Sequence, residues 1–424
     1  MLGLILSGCG DSEPVNGPEQ LQNSQLDTEN ESNSKSALGK SLGEVSSPES
    51  VDAFDRSQLI RARLEEKDAK QGWINLFDGS TLFGWVTDGQ ANFRVEDGVL
   101  VVDQGERSLL CTSLQWDRYE LLVEYRADAE TNSGIFLSTD VDPGNVASDC
   151  YEVNIAPDSH PYPTGSLVER QMAINVPTLS SDQWHSIKIL HELGSLTIEV
   201  DGNRVCEYED SAPQGLGRIG LQHNQGRIEF RKVMLRPLDL DSLLDPALSA
   251  WKKYPNMDAT YSINEQGEMH VKGGSGQIET LDTFSDFILL AEYQLPTPEM
   301  NSGIFFRCIP GDKMMGYECQ VSNFATQEGG LIPSDCGAGG IFRRQDARLI
   351  AGETGKWATI VLLAQGPSMG AWVNGIQVSD WTDIRDVDEN PRRGKRLEAG
   401  TIMIQGHDPT TDALFRQIRI RSTQ

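Results

Sequence analysis

The chain contains no apolar run approaching the roughly 18 residues that cross a bilayer as a helix, so it has no membrane-spanning helix. It has no stripe of basic residues interleaved with aromatics, and its formal charge of −27 repels a phosphate backbone, which argues against nucleic acid as a partner. None of its seven cysteines forms a Cys-x-x-Cys pair, which argues against a zinc–thiolate site. The glycine patterns of P-loop and dinucleotide-binding folds are missing, as is a Ser-His-Asp order. Helical periodicity is nearly absent.

What is present is arranged in three parts. Residues 1–9 end in Leu6-Ser7-Gly8-Cys9, the apolar-small-small-Cys pattern of a bacterial lipoprotein cleavage site. The expectation is a chain lipidated at Cys9, exported and anchored to the cell envelope by acyl groups alone. The apolar segment is short and lacks basic residues, so the true start is expected to lie upstream of Met1. Residues 10–71 are expected to be a disordered tether, because their first 40 or so are Ser, Asn, Glu and Gln with few large apolar side chains. One short amphipathic helix is expected over 53–70. An exported setting permits disulfides, and Cys308 with Cys319, flanking a hairpin loop, is the best candidate pair.

Beyond Trp73 short alternating segments such as "YELLVEYRA" and "LTIEVDGNRV" are punctuated by Gly, Asp and Asn turns. Their order recurs. Glu124, Asn132, Glu152, Trp184 and Asp201-Gly202 correspond to Glu292, Asn301, Glu318, Trp357 and Asn374-Gly375, offset by 166 to 173 positions. This is a tandem duplication, predicted to form two all-β sandwiches over 72–238 and 245–422.

"GWINLFDGSTLFGW", "FRVEDGVLVV", "NSGIFLS", "YEVNI" and "IGLQ" followed by "GRIEFRKV" resemble, in order, the bacterial 3-keto-disaccharide hydrolase domain family. The second half repeats the pattern with "NSGIFFR", "GYECQ" and "IQGHDPTTDALFRQIRI", and its "LFDG" opening reads as lost. The resemblance implies two concanavalin-like jelly-roll domains acting on saccharides. In the implied reaction a C3 ketone acidifies the C2 hydrogen, a base removes it, the C1 group leaves, and water adds to the enone. Such a site needs a base near neutral pKa, a cation or donor cluster for the enediolate, and a proton source.

The residue types point to Glu318 as general base or metal ligand, His407 as acid–base partner and Arg307 as enediolate anchor. Gln320, Asp408, Arg343, Glu152, Asn154 and His223 are candidate saccharide contacts, with Arg344 as an alternative to Arg343. A divalent metal, held by Glu318 and His407, is the one candidate cofactor. The bland alternatives are a solvated glutamate, a turn histidine, an arginine paired with an acidic neighbour, and tryptophans in the core. Catalysis by the trio requires Glu318, Arg307 and His407 to converge on one pocket. Net hydrolysis of 3-keto glycosides then competes with a lectin-like binding protein and with a structural module of the envelope. Ordinary retaining hydrolysis is disfavoured, since the Glu-x-Asp-x-Glu strand of related glucanases is missing.

Overall fold

The computed structural model describes residues 54–423. Cys9 and residues 10–53 of the expected tether lie outside them. Two sandwiches follow one another, each a long antiparallel sheet stacked on a five-stranded one. The short sheet of the first runs Trp85–Thr87, Ser108–Thr112, Arg218–His223, Ser133–Thr139, Tyr151–Ile155; that of the second runs Trp251–Lys253, Gly276–Thr280, Thr401–Gly406, Asn301–Cys308, Tyr317–Ser322. Each long sheet centres on its closing strand, Ile228–Pro237 beside Tyr119–Ala127 and Asp412–Ser422 beside Phe287–Gln294. The order of strands is the same in both halves, as a duplication requires.

Alternation along the strands builds the cores. Leu121, Val123 and Tyr125 meet Ile135, Leu137 and Val153 between the first pair of sheets, and Leu289, Ala291 and Tyr293 meet Ile304, Phe306 and Val321 between the second. The two long sheets differ on their other face. In the first, strand His185–Glu192 alternates buried and more open residues. In the second, "ATIVLLAQ" is buried throughout: Ile360 and Leu362 face their own core, whereas Val361 and Leu363 join Ile288, Leu290 and Trp372 in the core of the first sandwich. A strand covered on both faces reads as a continuous apolar run.

The contact between the sandwiches is tied by charge as well. Arg421 forks onto Asp117 and Arg348 donates to Asp78, all four side chains under 10 % exposed. Gln365 exchanges hydrogen bonds with the backbone of Gln115, and the Trp372 indole donates to Asn75 O.

Several expectations are corrected. Residues 54–71 are ordered: helices Arg56–Leu59 and Glu66–Ala69 flank a 3-10 turn, and Leu59 is fully buried in the second sandwich's core. The second domain begins before 245, because Asp241–Ser242 pairs with its closing strand. Its opening is not lost. The Trp251 indole donates to Leu243 O as Trp85 does to Leu76 O, and the Asp245 carboxylate caps a turn as Asp78 does. A one-residue deletion and Pro246 in place of Gly79 disguise the match in sequence.

Cys308 and Cys319 are free; Cys319 sits between the sheets and Cys308 in a separate cluster with Phe305 and Met403 on the outer face. Of Trp73, Trp85, Trp184 and Trp357, expected mostly in the core, only Trp85 is fully there. Trp184 and Trp357 lie half-buried under Arg231 and Arg416, which bond Glu124 and Glu292.

Removing one partner of a buried pair strands the other charge, so Arg421→Ala is expected to cost about 3–5 kcal/mol in urea unfolding. Arg204→Ala, from an exposed pair with Glu207, should cost at most about 1 kcal/mol. Equal losses would refute this account of the contact between the sandwiches.

Candidate functional site

The outer faces of the short sheets carry the repeated residues. Register places Phe136 opposite Glu152 and Gly134 opposite Asn154; in the second copy Phe305 lies opposite Glu318 and Gly303 opposite Gln320. One strand further in, Gln222 and Gln405 occupy matching positions, and at the far side Cys111 of the first copy matches Glu279 of the second.

The glycine of each Asn-Ser-Gly explains where the glutamate goes. A Cβ on Gly303 would stand 2.7 Å from Glu318 Oε1, and one on Gly134 would stand 3.0 Å from Glu152 Oε1. Each carboxyl therefore lies across the neighbouring strand, in space only a glycine leaves open. Burial pushes both carboxyls up to about 7. Arg392 and Arg343 pull Glu318 back while Asp335 adds to the rise; for Glu152, Arg107 and Gln222 pull back and Glu169 adds.

The tyrosine before each glutamate points the other way, toward the core, and holds a loop. Tyr317 donates to Asp383 and accepts from Arg396 N; Tyr151 donates to Asp210 and accepts from Gln214 N. In the first copy that loop is short. In the second it extends over 383–399 and brings Arg392 to the glutamate, its guanidinium anchored on Met314 O at 2.9 Å.

The expected trio does not converge. Arg307 sits at a bulge with φ of +48°, as Ser138 does with +50°. This left-handed residue turns the side chain off the alternation, and Arg307 is fully buried, donating to Ser285 O, Gly366 O, Arg396 O and Asp286. It is the arginine paired with an acidic neighbour, and it props the 383–399 loop from beneath. His407 stands past the end of its strand, four residues beyond Met403, which shares the Glu318 row through Phe305. His407 Nδ1 bonds Asp408, whose carboxylate also caps the Thr410 turn and is held down to about 2.

The remaining candidates divide. Arg343 is exposed and near enough to pull the Glu318 carboxyl down. Arg344 bonds Arg343 O and Arg392 O beside it. Gln320 is buried with its amide oxygen on Val321 N, and Asn154 is committed to Tyr162 O and His160 in its own loop. His223 is buried with Nδ1 unpartnered, and burial lowers its pKa.

Among the described residues no three His, Cys, Asp or Glu side chains gather as a cation site. With Arg343 and Arg392 acting on Glu318 and His407 Nδ1 spent on Asp408, the donors do not suit the expected divalent metal. Sequence reading missed Gln222 and Gln405, although the "LQ" and "IQ" of the penultimate strands repeat in place. It missed Arg392 because the first copy has no counterpart to its loop.

No curated protein matches the chain. Among solved structures it is similar to a candidate glycosyl hydrolase from Parabacteroides distasonis, at 17 % identity over 42 % of this chain and 98 % of the other, with a TM-score of 0.36. The carbohydrate-binding module CBM66 from Bacillus subtilis matches at 15 % identity over 36 % and 95 %, with a TM-score of 0.28. Likenesses this distant say nothing about activity. The model of the 3-keto-alpha-glucoside-1,2-lyase-like domain, in contrast, matches residues 72–236 and again 240–421. The chain belongs to that carbohydrate-related family and carries its domain twice.

Proposed function

We propose that the outer face of the second sandwich's short sheet binds a 3-keto glycoside and that Glu318 serves as the base of its cleavage. The observation that carries this reading is a carboxyl lying over Gly303, pushed up to about 7 and faced by Arg343 and Arg392. A base poised near neutrality takes a proton from carbon and returns it to oxygen with little cost in either direction.

In the first step the Glu318 carboxylate takes the C2 proton, and the electron pair moves onto the C3 oxygen as an enediolate. The guanidinium charges of Arg343 and Arg392 oppose that developing charge. The pair then returns, the C1–O bond breaks, and the departing oxygen takes the proton from Glu318. Water adds to the resulting enone, hydroxide at C1 and a proton at C2, so the sum is hydrolysis of the glycoside. The trio with Arg307 and His407 has no part in it. Arg307 acts through the loop that carries Arg392.

A second reading applies to the first sandwich. Glu152 is 6 % exposed and has Glu169 where the second copy has Arg343, with no counterpart of the Arg392 loop, which fits a binding or supporting domain better than a catalytic one.

The test is turnover of 3-keto glycosides by the full chain. kcat/KM should rise with pH to a plateau above about 7, and Glu318→Gln should lower it by about 100-fold or more. Gly303→Ala should lower it comparably, since the new Cβ displaces the Glu318 carboxyl and crowds the Phe305 ring at 2.9 Å. Turnover unaffected by Glu318→Gln would sink the assignment.

The same carboxyl affects stability. Its folded pKa is raised, so its contribution is fully present below the unfolded pKa of about 4.5 and is lost as pH rises through about 7. Glu318→Gln should therefore gain on the order of 2 kcal/mol over wild type at pH 8 and almost nothing at pH 4, read by urea unfolding.

A further inference from the structure

Position 343 reverses charge between two backbones that otherwise coincide. In the first copy Val168 N donates to Glu152 O, Leu167 bridges Val153 and Gln171, and Glu169 follows with φ of +59°. In the second, Phe342 N donates to Glu318 O, Ile341 bridges Cys319 and Gln345, and Arg343 follows with φ of +60°. The same left-handed corner, beside the same glutamate, thus presents an anion in one sandwich and a cation in the other.

Arg343 has company. The 383–399 loop brings Arg392 to the groove, and Arg344 is tied to both through backbone carbonyls, bonding Arg343 O at 3.2 Å and Arg392 O at 3.0 Å. Neighbouring arginines of that loop are neutralised: Arg385 pairs with Asp383, Arg393 with Asp388 and Arg396 with Glu398. Among the described residues no salt bridge reaches Arg343, Arg344 or Arg392. The acids facing the cluster are Glu318 itself, Asp335 and, toward Arg344, Asp383, which is already paired with Arg385. Burial, with repulsion from Arg385, lowers the Arg344 pKa, as expected of a cation short of counter-charge. In a chain of net charge −27, a group of unpaired guanidiniums at one groove is not explained by composition.

We propose that Arg343 and Arg392, backed by Arg344, select a saccharide bearing an anionic substituent, a carboxylate or a sulfate, in the second sandwich alone. This rests on the groove being the saccharide site, though not on Glu318 being a base. The planar guanidinium takes either anion through two parallel N–H donors, and at a partly desolvated rim such bonds are stronger than those to a sugar hydroxyl. The anionic group would lie on the side of the groove away from the C3 oxygen or on the neighbouring sugar unit, leaving room for charge to develop beside Glu318.

The experiment is calorimetric titration of the full chain with trigalacturonate, with a chondroitin sulfate tetrasaccharide and with maltotriose, at low and at 0.5 M salt (about 30 Å down to about 4 Å of screening). At least one anionic probe should bind about tenfold or more tighter than maltotriose at low salt; which one distinguishes carboxylate from sulfate. Arg343→Glu, which installs the first copy's charge, and Arg392→Gln should each erase most of that preference. Arg343→Gln, a milder change at an exposed position, guards against misfolding. Equal binding of all three probes, or a preference that survives both substitutions, overturns the proposal. Failure of the reaction reads differently: absent turnover of every 3-keto glycoside with intact anion preference removes the base and keeps the selectivity, and ready turnover of neutral 3-keto glycosides by a chain that binds all three probes equally does the reverse.

Discussion

The burial of one sheet from both sides holds this molecule together. The long sheet of the second sandwich closes its own core with Leu289, Ile360 and Leu362 and the core of its neighbour with Leu290, Val361 and Leu363. No strand of the first sandwich is used this way, so the two copies, alike in topology, are unlike in composition. The ion pairs Asp117–Arg421 and Asp78–Arg348 add geometry more than net stability, because desolvation consumes much of their attraction. They fix how the sheet sits against the first sandwich. Residues 54–71, which bury Leu59 in the second sandwich before entering the first, tie the two together from the N-terminal side.

The repeated Asn-Ser-Gly-Ile-Phe and Tyr-Glu strands turn out to be one device. Glycine leaves the space, glutamate fills it, and tyrosine on the opposite face anchors the loop that reaches over the groove. Because the three residues act on different faces of adjoining strands, the device can be copied whole while the loop it holds changes freely. In the second copy that loop is longer and brings Arg392 to the glutamate; in the first it is short and the glutamate has Glu169 for a neighbour. Divergence of the two grooves therefore lies in loops and in single positions such as 169 and 343, as expected where a rigid scaffold positions variable segments.

Much of this was legible beforehand. Alternating strands, turn dipeptides and a constant offset were enough for two all-β sandwiches, and the recurring glutamate was enough to suspect a site. Even the two-sided burial is written in the contrast of "HSIKILHE" with "ATIVLLAQ". Arg307 was misassigned because strict alternation puts it on the Glu318 face, and only the left-handed bulge reverses it. His407 spends Nδ1 on the neighbouring Asp408, a pairing that its place before the last strand does not disclose. The second opening was overlooked because a deletion and a proline hide a turn whose hydrogen bonds are unchanged.

Sequence by itself determined the fold class, the duplication and the identity of the glutamates, because local alternation and turn chemistry act over a few residues and survive copying. Which residues meet the glutamates was decided by tertiary structure alone. The groove draws Glu318, Arg343 and Arg392 from a strand and two separate loops, and Arg307 leaves it through a single positive φ. A carboxyl's pKa near 7 likewise comes from burial and from charges distant in the chain, which no local pattern records.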